Sequence, residues 1–257
     1  MEKIYFLSFG SPSNNYHEAL ERICNQAKSM NIFEKVIGLT EKDLINDSEF
    51  WNKHQNFILE NSRGYGYWLW KPYIIKKTLE SINNEDILLY LDSGCELNSN
   101  GLNKLLKYIE LVKIKKIIGT KGGSSDYNYT KMDLIKYLNM ENNIDLLKKN
   151  HMQPGCVLIM KCNETVNLYN EYYEIGSNNY HFINDNPSIE KNFDGFKEHR
   201  HDQSIFNLLV KKYNLINYDL DPTDWGYGHE AKNNYLKNGI EYPIWTCRNR
   251  TGKSIIE

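Results

Sequence analysis

An aspartate at the end of an apolar run is the first feature of this sequence that suggests chemistry. Asp92 follows DILLYL directly and is followed by Ser93 and Gly94. The run predicts a buried strand, and ligands of open α/β sheets bind beyond the carboxyl ends of the strands. A carboxylate there can ligate a divalent cation, which in turn can hold phosphate oxygens. The alternative is an Asx turn, in which Gly94 lets the backbone turn sharply.

A second candidate carboxylate, Asp202, precedes a helical pattern. In the segment EHRHDQSIFNLL the apolar stripe begins at Ile205, so Asp202 falls at or just before the first helical turn. There it can transfer a proton, or it can cap the helix. His199 and His201 form a lone His-x-His pair, which is a weak signal for a metal site, and solvated loop histidines are the alternative.

The carboxyl-terminal segment PIWTCRNRTGK is basic. Its positive charges are Arg248, Arg250 and Lys253. Guanidinium groups donate paired hydrogen bonds to phosphate oxygens, so the segment is suited to a ligand that carries phosphate. A solvated basic tail is the alternative. His229, in DWGYGHE, is a further candidate for a metal ion or a diphosphate, with a role in a surface loop as its alternative.

An aromatic segment, RGYGYWLWKP, precedes the strand that ends at Asp92. Tyr65, Tyr67, Trp68 and Trp70 offer flat faces on which the C–H edges of a pyranose can stack. Packing in the core is the alternative for the two tryptophans. Pro72 predicts a helix of which it is the first residue.

The elements that must position these residues follow from the periodicity of the chain. Strand-like runs (KIYFLSF, KVIGL, DILLYL, KIIGT and CVLIMK) alternate with helical patterns, the first of which is expected to begin near Asn15. This alternation predicts an α/β domain in which helices flank a sheet. A length of 257 residues favours one domain.

Composition excludes several classes of protein. With 31 basic and 33 acidic residues, the formal charge of -2 argues against a general nucleic-acid binder. Five cysteines without Cys-x-x-Cys spacing argue against a disulfide framework and a structural zinc site, and they favour a reducing compartment. The apolar run near the amino terminus is too short for a signal peptide or a membrane span. These observations predict a soluble cytoplasmic protein.

The segment YWLWKPYIIKKTLESINNEDILLYLDSG resembles the donor-binding half of GT-A type glycosyltransferases, in the nucleotide-diphospho-sugar transferase superfamily. In those enzymes a helix with a basic residue near its start leads into a strand that ends in Asp-x-Asp. Lys71 stands in the basic place and Asp92 in that of the first aspartate. Gly94 stands where the second aspartate is usual, so a metal site would need other ligands, such as Glu96 or a later histidine.

Other segments extend the resemblance. EHRHDQSIFNLLVKKY resembles the Asp-Gln helix start found late in the catalytic domain of retaining enzymes of this type, and the basic terminus resembles the segment that closes over the diphosphate. Ser8 and Phe9 follow the first strand, where the nucleotide base rests in this fold, with core packing as the alternative for Phe9. Gln153 lies in a turn that resembles the lining of the cleft for acceptor and donor sugar.

The resemblance implies a single GT-A-like (Rossmann-like) domain with a mixed sheet, whose residues 1–100 bind the nucleotide and whose residues 101–257 bind the acceptor and close the site. It implies transfer of a hexosyl group from a UDP- or GDP-sugar to a hydroxyl of a glycan, glycoconjugate or protein, assisted by Mn²⁺ or Mg²⁺ and with retention favoured. The implied catalytic residues are Asp202 and Gln203. The implied donor-binding residues are Ser8, Phe9, Lys71, Asp92, Ser93, Gly94, Gln153, Arg248 and Arg250. The implied metal ligands are Asp92, Glu96 and His229.

Two other classes of protein remain open on the sequence. The missing second aspartate is compatible with a noncatalytic protein of the same fold that binds a nucleotide sugar or a glycan. Asp92 with Mg²⁺ is compatible with a nucleotidyltransferase or phosphohydrolase, although the chain has no GxxxxGK[ST] loop and no second strong cluster of carboxylates.

Overall fold

The central element of the fold is a five-stranded mixed sheet with the strand order β2-β1-β3-β6-β5. The computed structural model describes residues 2–220 and 241–256. The strands of the sheet are β1 (Ile4–Gly10), β2 (Lys35–Thr40), β3 (Ile87–Leu91), β5 (Ile117–Ser125) and β6 (Asn150–Met160). A separate two-stranded sheet pairs β4 (Glu96–Leu97) with β7 (Ile244–Trp245).

Helices cover both faces of the sheet. The helices are α1 (Asn14–Ser29), α2 (Glu41–Asn46), α3 (Ser48–Glu60), α4 (Gly64–Tyr67), α5 (Trp70–Ser81), α6 (Leu102–Lys115), α7 (Asp126–Tyr129), α8 (Met132–Tyr137), α9 (Ile144–Lys148), α10 (Asn163–Asn178) and α11 (His201–Lys212). Two short 3₁₀ turns lie at Ser99–Gly101 and Tyr180–Phe182. No helix among the described residues has the length and apolarity needed to cross a membrane.

Alternation along β3 divides the core into two layers. Leu88 and Tyr90 belong to the core cluster that contains α5, α10 and α11, whereas Leu89 and Leu91 belong to the cluster under α1 and α6. All five residues of β3 are buried, as expected of a central strand covered on both faces. Asp92, two residues beyond Tyr90, therefore continues the face on which α5 and α11 pack.

Strand direction brings several chain segments to one edge of the sheet. β1 pairs in parallel with both β2 and β3, so the carboxyl ends of these three strands meet at the same edge. β6 runs antiparallel to β3 and therefore begins at that edge, where Asp92 N donates to Gly155 O over 2.8 Å. A helix that crosses back between parallel strands runs antiparallel to them. The first turn of α5 consequently lies at this edge as well.

A buried ion pair joins α11 to α7 and β6. Lys211 Nζ lies 2.5 Å from Asp126 Oδ2, and His151 Nε2 lies 3.0 Å from Asp126 Oδ1; all three side chains are fully buried. Burial raises the pKa of the Asp126 carboxyl, but the neighbouring His151 and Lys211 outweigh that effect and leave its pKa lowered. Asp126 therefore stays ionised, and this pair fixes the helix that begins next to Asp202.

Most of the expected elements are confirmed, with differences in detail. All five strand-like runs lie in strands, and α1 begins at Asn14, where the Ser13 side chain accepts from Tyr16 N. The fold class, a mixed α/β sheet flanked by helices, is confirmed. Pro72 is the third residue of α5 rather than the first, because the helix already begins at Trp70. It is tolerated there because the first N–H groups of a helix have no partner within the helix.

Removing the buried ammonium of Lys211 should destabilise the fold far more than removing the exposed ammonium of Lys212. Lys211→Met leaves the Asp126 charge buried without its ammonium partner, which costs about 3–5 kcal/mol. Lys212→Met, the control, breaks only the exposed pair with Glu171 and should cost below about 1 kcal/mol. Urea denaturation at neutral pH measures both changes. Equal losses in the two variants would contradict the assigned role of the buried pair.

Candidate active site

A lysine and two aspartates meet at the edge of the sheet where β3 ends. Lys71 Nζ lies 3.1 Å from Asp92 Oδ1 and 3.6 Å from Asp202 Oδ2. Tyr90 donates its hydroxyl hydrogen bond to Asp92 Oδ1 over 2.7 Å, and Tyr172 donates to Asp202 Oδ2 over 3.1 Å. These five residues are called the Lys71 cluster below. The three expected residues Lys71, Asp92 and Asp202 thus lie in direct contact.

Helix periodicity explains why Lys71 points inward. Lys71 precedes Ile74, Ile75 and Thr78 at helical spacing, and all of them are buried on the face of α5 that covers the sheet. Because Lys71 is in the first turn, its side chain reaches the carboxyl end of β3 rather than the middle of the strand. α11 places Asp202 in the same way, since Asp202 is its second residue and is buried.

Exposure differs sharply within the Lys71 cluster. The side chains of Lys71 and Asp202 are only 4% and 7% exposed, whereas that of Asp92 is 45% exposed. Burial by itself lowers the pKa of the Lys71 ammonium, but Asp92 and Asp202 outweigh it and the pKa is raised. Burial raises the pKa of Asp202 to about 6, although Lys71 acts in the opposite direction. Lys71 is therefore charged at neutral pH. Asp202 changes its protonation state at a pH just below neutral.

The capping interpretation of Asp202 is wrong. Arg200 occupies the cap position of α11, no side chain makes a capping hydrogen bond there, and Asp202 lies inside the helix. Its carboxylate instead faces Lys71 and Tyr172. Asp202 thus interacts with Lys71 and Tyr172 and does not cap the helix.

The aromatic segment before α5 forms a left-handed turn. All five residues from 64 to 68 have positive φ, between 53° and 80°. Left-handed backbone costs an L-residue about 1–2 kcal/mol, and three of the five are aromatic. Glycine is required at the other two, because a Cβ at Gly64 would lie 2.4 Å from the Trp68 ring and one at Gly66 would lie 2.7 Å from Ile58. Strain of this kind persists only where its surroundings fix it, and it clusters at functional sites.

A second strained residue packs against this turn. His201, the first residue of α11, has φ 51°, and its ring centroid lies 5.0 Å from that of Tyr67 and 5.6 Å from that of Trp68. Its Nδ1 is 2.9 Å from Ile183 O, and His199 Nε2 is 2.9 Å from Phe182 O. Both histidines are buried, so the expectation of solvated loop histidines is wrong. They hold the backbone that leads into Asp202.

The aromatic side chains divide into core and surface. Trp70 and Tyr67 are buried, and Trp70 stacks on Phe9 with ring centroids 4.0 Å apart. Tyr65 and Trp68 are half-buried and keep part of their surface toward solvent. Of the candidate sugar-stacking faces, these two are accessible, while core packing describes Trp70. Phe9 is buried in the same stack and Ser8 is fully buried, so neither presents a free face to a ligand in this structure.

The Asp-Ser-Gly turn is locked to the carboxyl-terminal segment. Asn249 N donates to Gly94 O over 2.8 Å, and a Cβ at Gly94 would lie 3.3 Å from Arg248 Cα. Arg22, buried on α1, donates to the carbonyl oxygens of Ser93, Cys95, Asn249 and Thr251. The turn that follows Asp92 is therefore held from two sides, and Arg248 lies directly beside it.

Glu96 takes part in the same lock. It is fully buried, and its carboxylate accepts hydrogen bonds from the Ser254 hydroxyl over 2.6 Å, the Asn249 amide over 2.6 Å and the Gln26 amide over 3.0 Å. Ile255 N also donates to it over 3.1 Å. Both carboxylate oxygens are thus used by α1 and the terminal segment. The structure does not bring Glu96 to Asp92.

Two glutamines and a glycine complete the wall next to Asp92. Gln203 Nε2 lies 3.4 Å from Gln153 Oε1, and both side chains are partly exposed. A Cβ at Gly155 would lie 2.3 Å from Asp92 Oδ2, so only glycine leaves room for this carboxylate. The expected residues Gln153 and Gln203 are therefore adjacent to one another on the strand and helix that flank the cluster.

The remaining candidates lie at the margin of the site or beyond the described part. Arg250 is exposed, and its guanidinium carbon lies 5.4 Å from the centroid of the Tyr16 ring at the start of α1. His229 falls outside the described residues. Lys253 contributes its backbone carbonyl, which accepts from the Asn249 amide.

Three residues of the site were not found by sequence reasoning. Tyr90 lies two positions before Asp92 in a strand, so the period of two was a usable signal that both share a face. Arg22 stands beside an apolar helical stripe, which signals a buried charge but not its partners. Tyr172 carries no sequence signal, because its approach to Asp202 depends on the packing of α10 against α11.

Among residues 2–220 and 241–256, the side chains of this site do not fit a resident divalent cation. In the described ranges, no group of three or more His, Cys, Asp and Glu side chains is placed to hold a metal ion. The two carboxylates of the Lys71 cluster already share an ammonium, whose charge would repel a cation placed between them. Assistance by Mn²⁺ or Mg²⁺ is thus not supported by the donor set of this site.

Comparison with solved structures yields similar chains at low sequence identity. The chain is similar to mouse xyloside xylosyltransferase 1 in its apo form, with a TM-score of 0.49 and 11% identity over 96% of this chain and 99% of that one. It is also similar to a glycosyltransferase involved in the glycosylation of the major capsid of PBCV-1, with a TM-score of 0.49 and 11% identity over 99% of this chain and 95% of that one. No family model and no curated protein matches the sequence. Residue roles are therefore inferred from the geometry of the site.

Loss of the Tyr172 hydroxyl should raise the pKa of Asp202 further above about 6. That hydroxyl stabilises the charged carboxylate, so Tyr172→Phe favours the protonated form and moves the titration midpoint to higher pH. The midpoint is measured by ¹³C NMR of aspartate carboxyl carbons, with Asp202→Asn to assign the signal. Tyr169→Phe, one turn earlier on α10, is the control and should leave the midpoint unchanged. A midpoint that stays or falls in Tyr172→Phe would contradict the hydrogen bond.

Proposed function

We propose that this protein is a glycosyltransferase that moves a sugar from a nucleoside diphosphate sugar to an acceptor hydroxyl. The observation that carries the proposal is the Lys71 cluster, in which an accessible carboxylate, a buried ammonium and a second carboxylate of raised pKa meet beyond the carboxyl end of β3. Ligands of such sheets bind at this edge. A hexose as the sugar, and UDP or GDP as the nucleotide, are carried over from the sequence resemblance.

The positive groups of the site suit the departing diphosphate. Cleavage of the bond between the sugar and the diphosphate leaves negative charge on the phosphate oxygens, and fixed cations stabilise that charge as it develops. Lys71 is held in place by burial and by two carboxylates, and Arg248 is placed beside the Asp-Ser-Gly turn by the terminal segment. Arg250 lies farther along the same segment and extends the positive surface.

Asp202 is proposed to act on the sugar side of the reaction. In inverting transfer, a carboxylate takes the proton of the acceptor hydroxyl. In retaining transfer, which the sequence resemblance favours, it stabilises the oxocarbenium-like sugar while the departing phosphate accepts that proton. A pKa of about 6 leaves Asp202 charged at neutral pH, as both routes require. Gln153 and Gln203, side by side next to the cluster, are proposed to hydrogen-bond the hydroxyls of the donor sugar.

The acceptor is proposed to enter over the half-exposed aromatic residues. Tyr65 and Trp68 lie on the rigid left-handed turn that leads to Lys71, and flat rings that do not move lose little entropy on stacking with a pyranose. A glycan or glycoconjugate is thus the acceptor that this surface suits. We also propose that about residues 1–100 bind the nucleotide and about residues 101–257 bind the acceptor and close the site. In this arrangement Tyr65 and Trp68 of the first part extend the acceptor surface, and Gln153 and Gln203 of the second part reach the donor sugar.

A panel of nucleotide sugars tests the function. Purified protein is incubated with UDP- and GDP-sugars with and without simple glycosides, and release of the nucleoside diphosphate is measured beside calorimetric binding. Turnover of at least one donor is expected. Binding without turnover would indicate a noncatalytic sugar-binding protein, and cleavage of nucleoside triphosphates would indicate a nucleotidyltransferase or phosphohydrolase. NMR of the first-formed product anomer distinguishes retention from inversion.

Asp202→Asn should abolish most of the turnover and leave the fold intact. The substitution keeps the size of the side chain and removes its charge, so turnover is expected to fall by about 100-fold or more, the scale of one positioned catalytic group. The protein should remain folded at the assay temperature, because Asp92 still pairs with Lys71, and its melting temperature should fall, because the buried ammonium loses one of its two carboxylate partners. Asp194→Asn, an exposed position in the loop before α11, is the control and should keep full turnover. Full turnover in Asp202→Asn would remove Asp202 from the mechanism.

A further inference from the structure

We propose that the Lys71 ammonium takes the place of the divalent cation, so that the protein binds and cleaves its donor without a metal ion. This inference rests on the proposed function, because it concerns how the same site compensates the diphosphate charge. The family resemblance implies Mn²⁺ or Mg²⁺, and the donor set of the site disagrees with that implication.

The place of a second carboxylate is taken by a glycine that contacts the terminal segment. Where the resembled motif has an aspartate, this chain has Gly94, and a Cβ there would lie 3.3 Å from Arg248 Cα. Asn249 N donates to Gly94 O over 2.8 Å, which fixes the terminal segment against the turn. A side chain at position 94 would meet this backbone tightly, so the backbone would have to shift slightly to admit it. Gly94 thus supplies no ligand and lets the Arg248 backbone lie close to the turn.

Glu96, the next carboxylate in the sequence after Asp92, makes its hydrogen bonds away from the Lys71 cluster. Glu96 is fully buried, and both of its oxygens accept hydrogen bonds from α1 and the terminal segment. To ligate a cation beside Asp92, Glu96 would have to leave these partners and release residues 249–255. In the described ranges, Asp92 is thus left with Asp202 as its only carboxylate neighbour in the Lys71 cluster.

Lys71 occupies the position between these two carboxylates. Its Nζ contacts Asp92 Oδ1 and Asp202 Oδ2, and each of those oxygens also accepts a tyrosine hydroxyl. The ammonium is almost fully buried, so its charge is weakly screened by water and would strongly disfavour a dication at the same point. The point between the two carboxylates is thus already occupied by a cation that belongs to the protein.

A buried ammonium can do for the diphosphate what a cation does. As the bond between sugar C1 and the phosphate oxygen breaks, its electron pair goes to that oxygen, and the acceptor oxygen forms the new bond to C1. The acceptor proton goes to Asp202 or to the departing diphosphate, as in the two routes above. The Lys71 ammonium is fixed at the end of β3, and the Arg248 backbone lies beside the Asp-Ser-Gly turn, so both residues are proposed to donate N–H groups to the new charge. No further reactant is required.

The experiment compares nucleoside diphosphate binding and donor turnover with and without metal. The protein is treated with EDTA and desalted, and it is then titrated with UDP and GDP by calorimetry in EDTA, in MnCl₂ and in MgCl₂. The affinity for the preferred diphosphate is expected to differ by less than about twofold among the three buffers. Turnover of the donor identified in the panel should likewise persist in EDTA.

Variants assign the effect to Lys71. In EDTA, Lys71→Ala should weaken diphosphate binding by about tenfold or more, as expected for the loss of a charge-assisted contact. Lys77→Ala, an exposed position on the same helix, is the control and should bind as the unaltered protein does. Since Lys71→Ala leaves Asp202 buried without its partner, Lys71→Ala with Asp202→Asn is tested beside it to separate lost binding from lost folding.

The outcomes separate this inference from the proposed function. Binding or turnover that requires Mn²⁺ or Mg²⁺ would overturn the inference and leave the glycosyltransferase proposal standing, with ligands then sought among residues 221–240. Unchanged binding in both Lys71 variants in EDTA would also overturn it. Failure of the unaltered protein to bind any nucleoside diphosphate in any buffer would overturn the proposed function itself.

Discussion

The buried ammonium of Lys71 determines which other charges the site must contain. Lys71 is charged only because Asp92 and Asp202 offset the cost of its burial, and Asp202 is buried as a carboxylate only because Lys71 lies opposite it. Either of the two buried charges, Lys71 and Asp202, would be costly alone. Helix α5, the end of β3 and the start of α11 must therefore keep their relative positions, which makes the Lys71 cluster a constraint on the fold as well as a site.

The surrounding structure supports that constraint with strain and with hydrogen bonds. On one side the left-handed turn of residues 64–68 packs against His201, so that the backbones leading into α5 and α11 brace each other. On the other side Arg22 and Glu96 bind the Asp-Ser-Gly turn and the terminal segment from within the core. Preorganisation of this kind places charge where it will be needed before the substrate arrives, and this is the property that electrostatic catalysis depends on.

Sequence reasoning found the parts of this arrangement that depend on local pattern. The strand before Asp92 and the helix after Asp202 were predictable because apolar periodicity reports which residues face the core. The family resemblance placed Lys71 and Asp92 in the same donor site, but their direct contact was not predicted. Periodicity does not show which distant segments of the chain pack together. The hydrogen bonds of Tyr172 and Arg22 depend on that packing, and so does the orientation of Glu96 away from Asp92. The burial of His199 and His201 depends on it as well. The positive φ values at Tyr65, Tyr67 and Trp68 were likewise hidden, because aromatic residues rarely adopt that backbone and tertiary contacts had to impose it.

A crystal structure of the protein with bound UDP or GDP would show whether the Lys71 cluster holds the diphosphate of a nucleotide sugar. The terminal phosphate is expected within hydrogen-bond reach of Lys71 Nζ, between the Asp-Ser-Gly turn and the first turn of α11, with Arg248 on its outer side. A nucleotide bound elsewhere on the protein, with the contacts of Lys71 to Asp92 and Asp202 unchanged and no phosphate near them, would contradict this expectation.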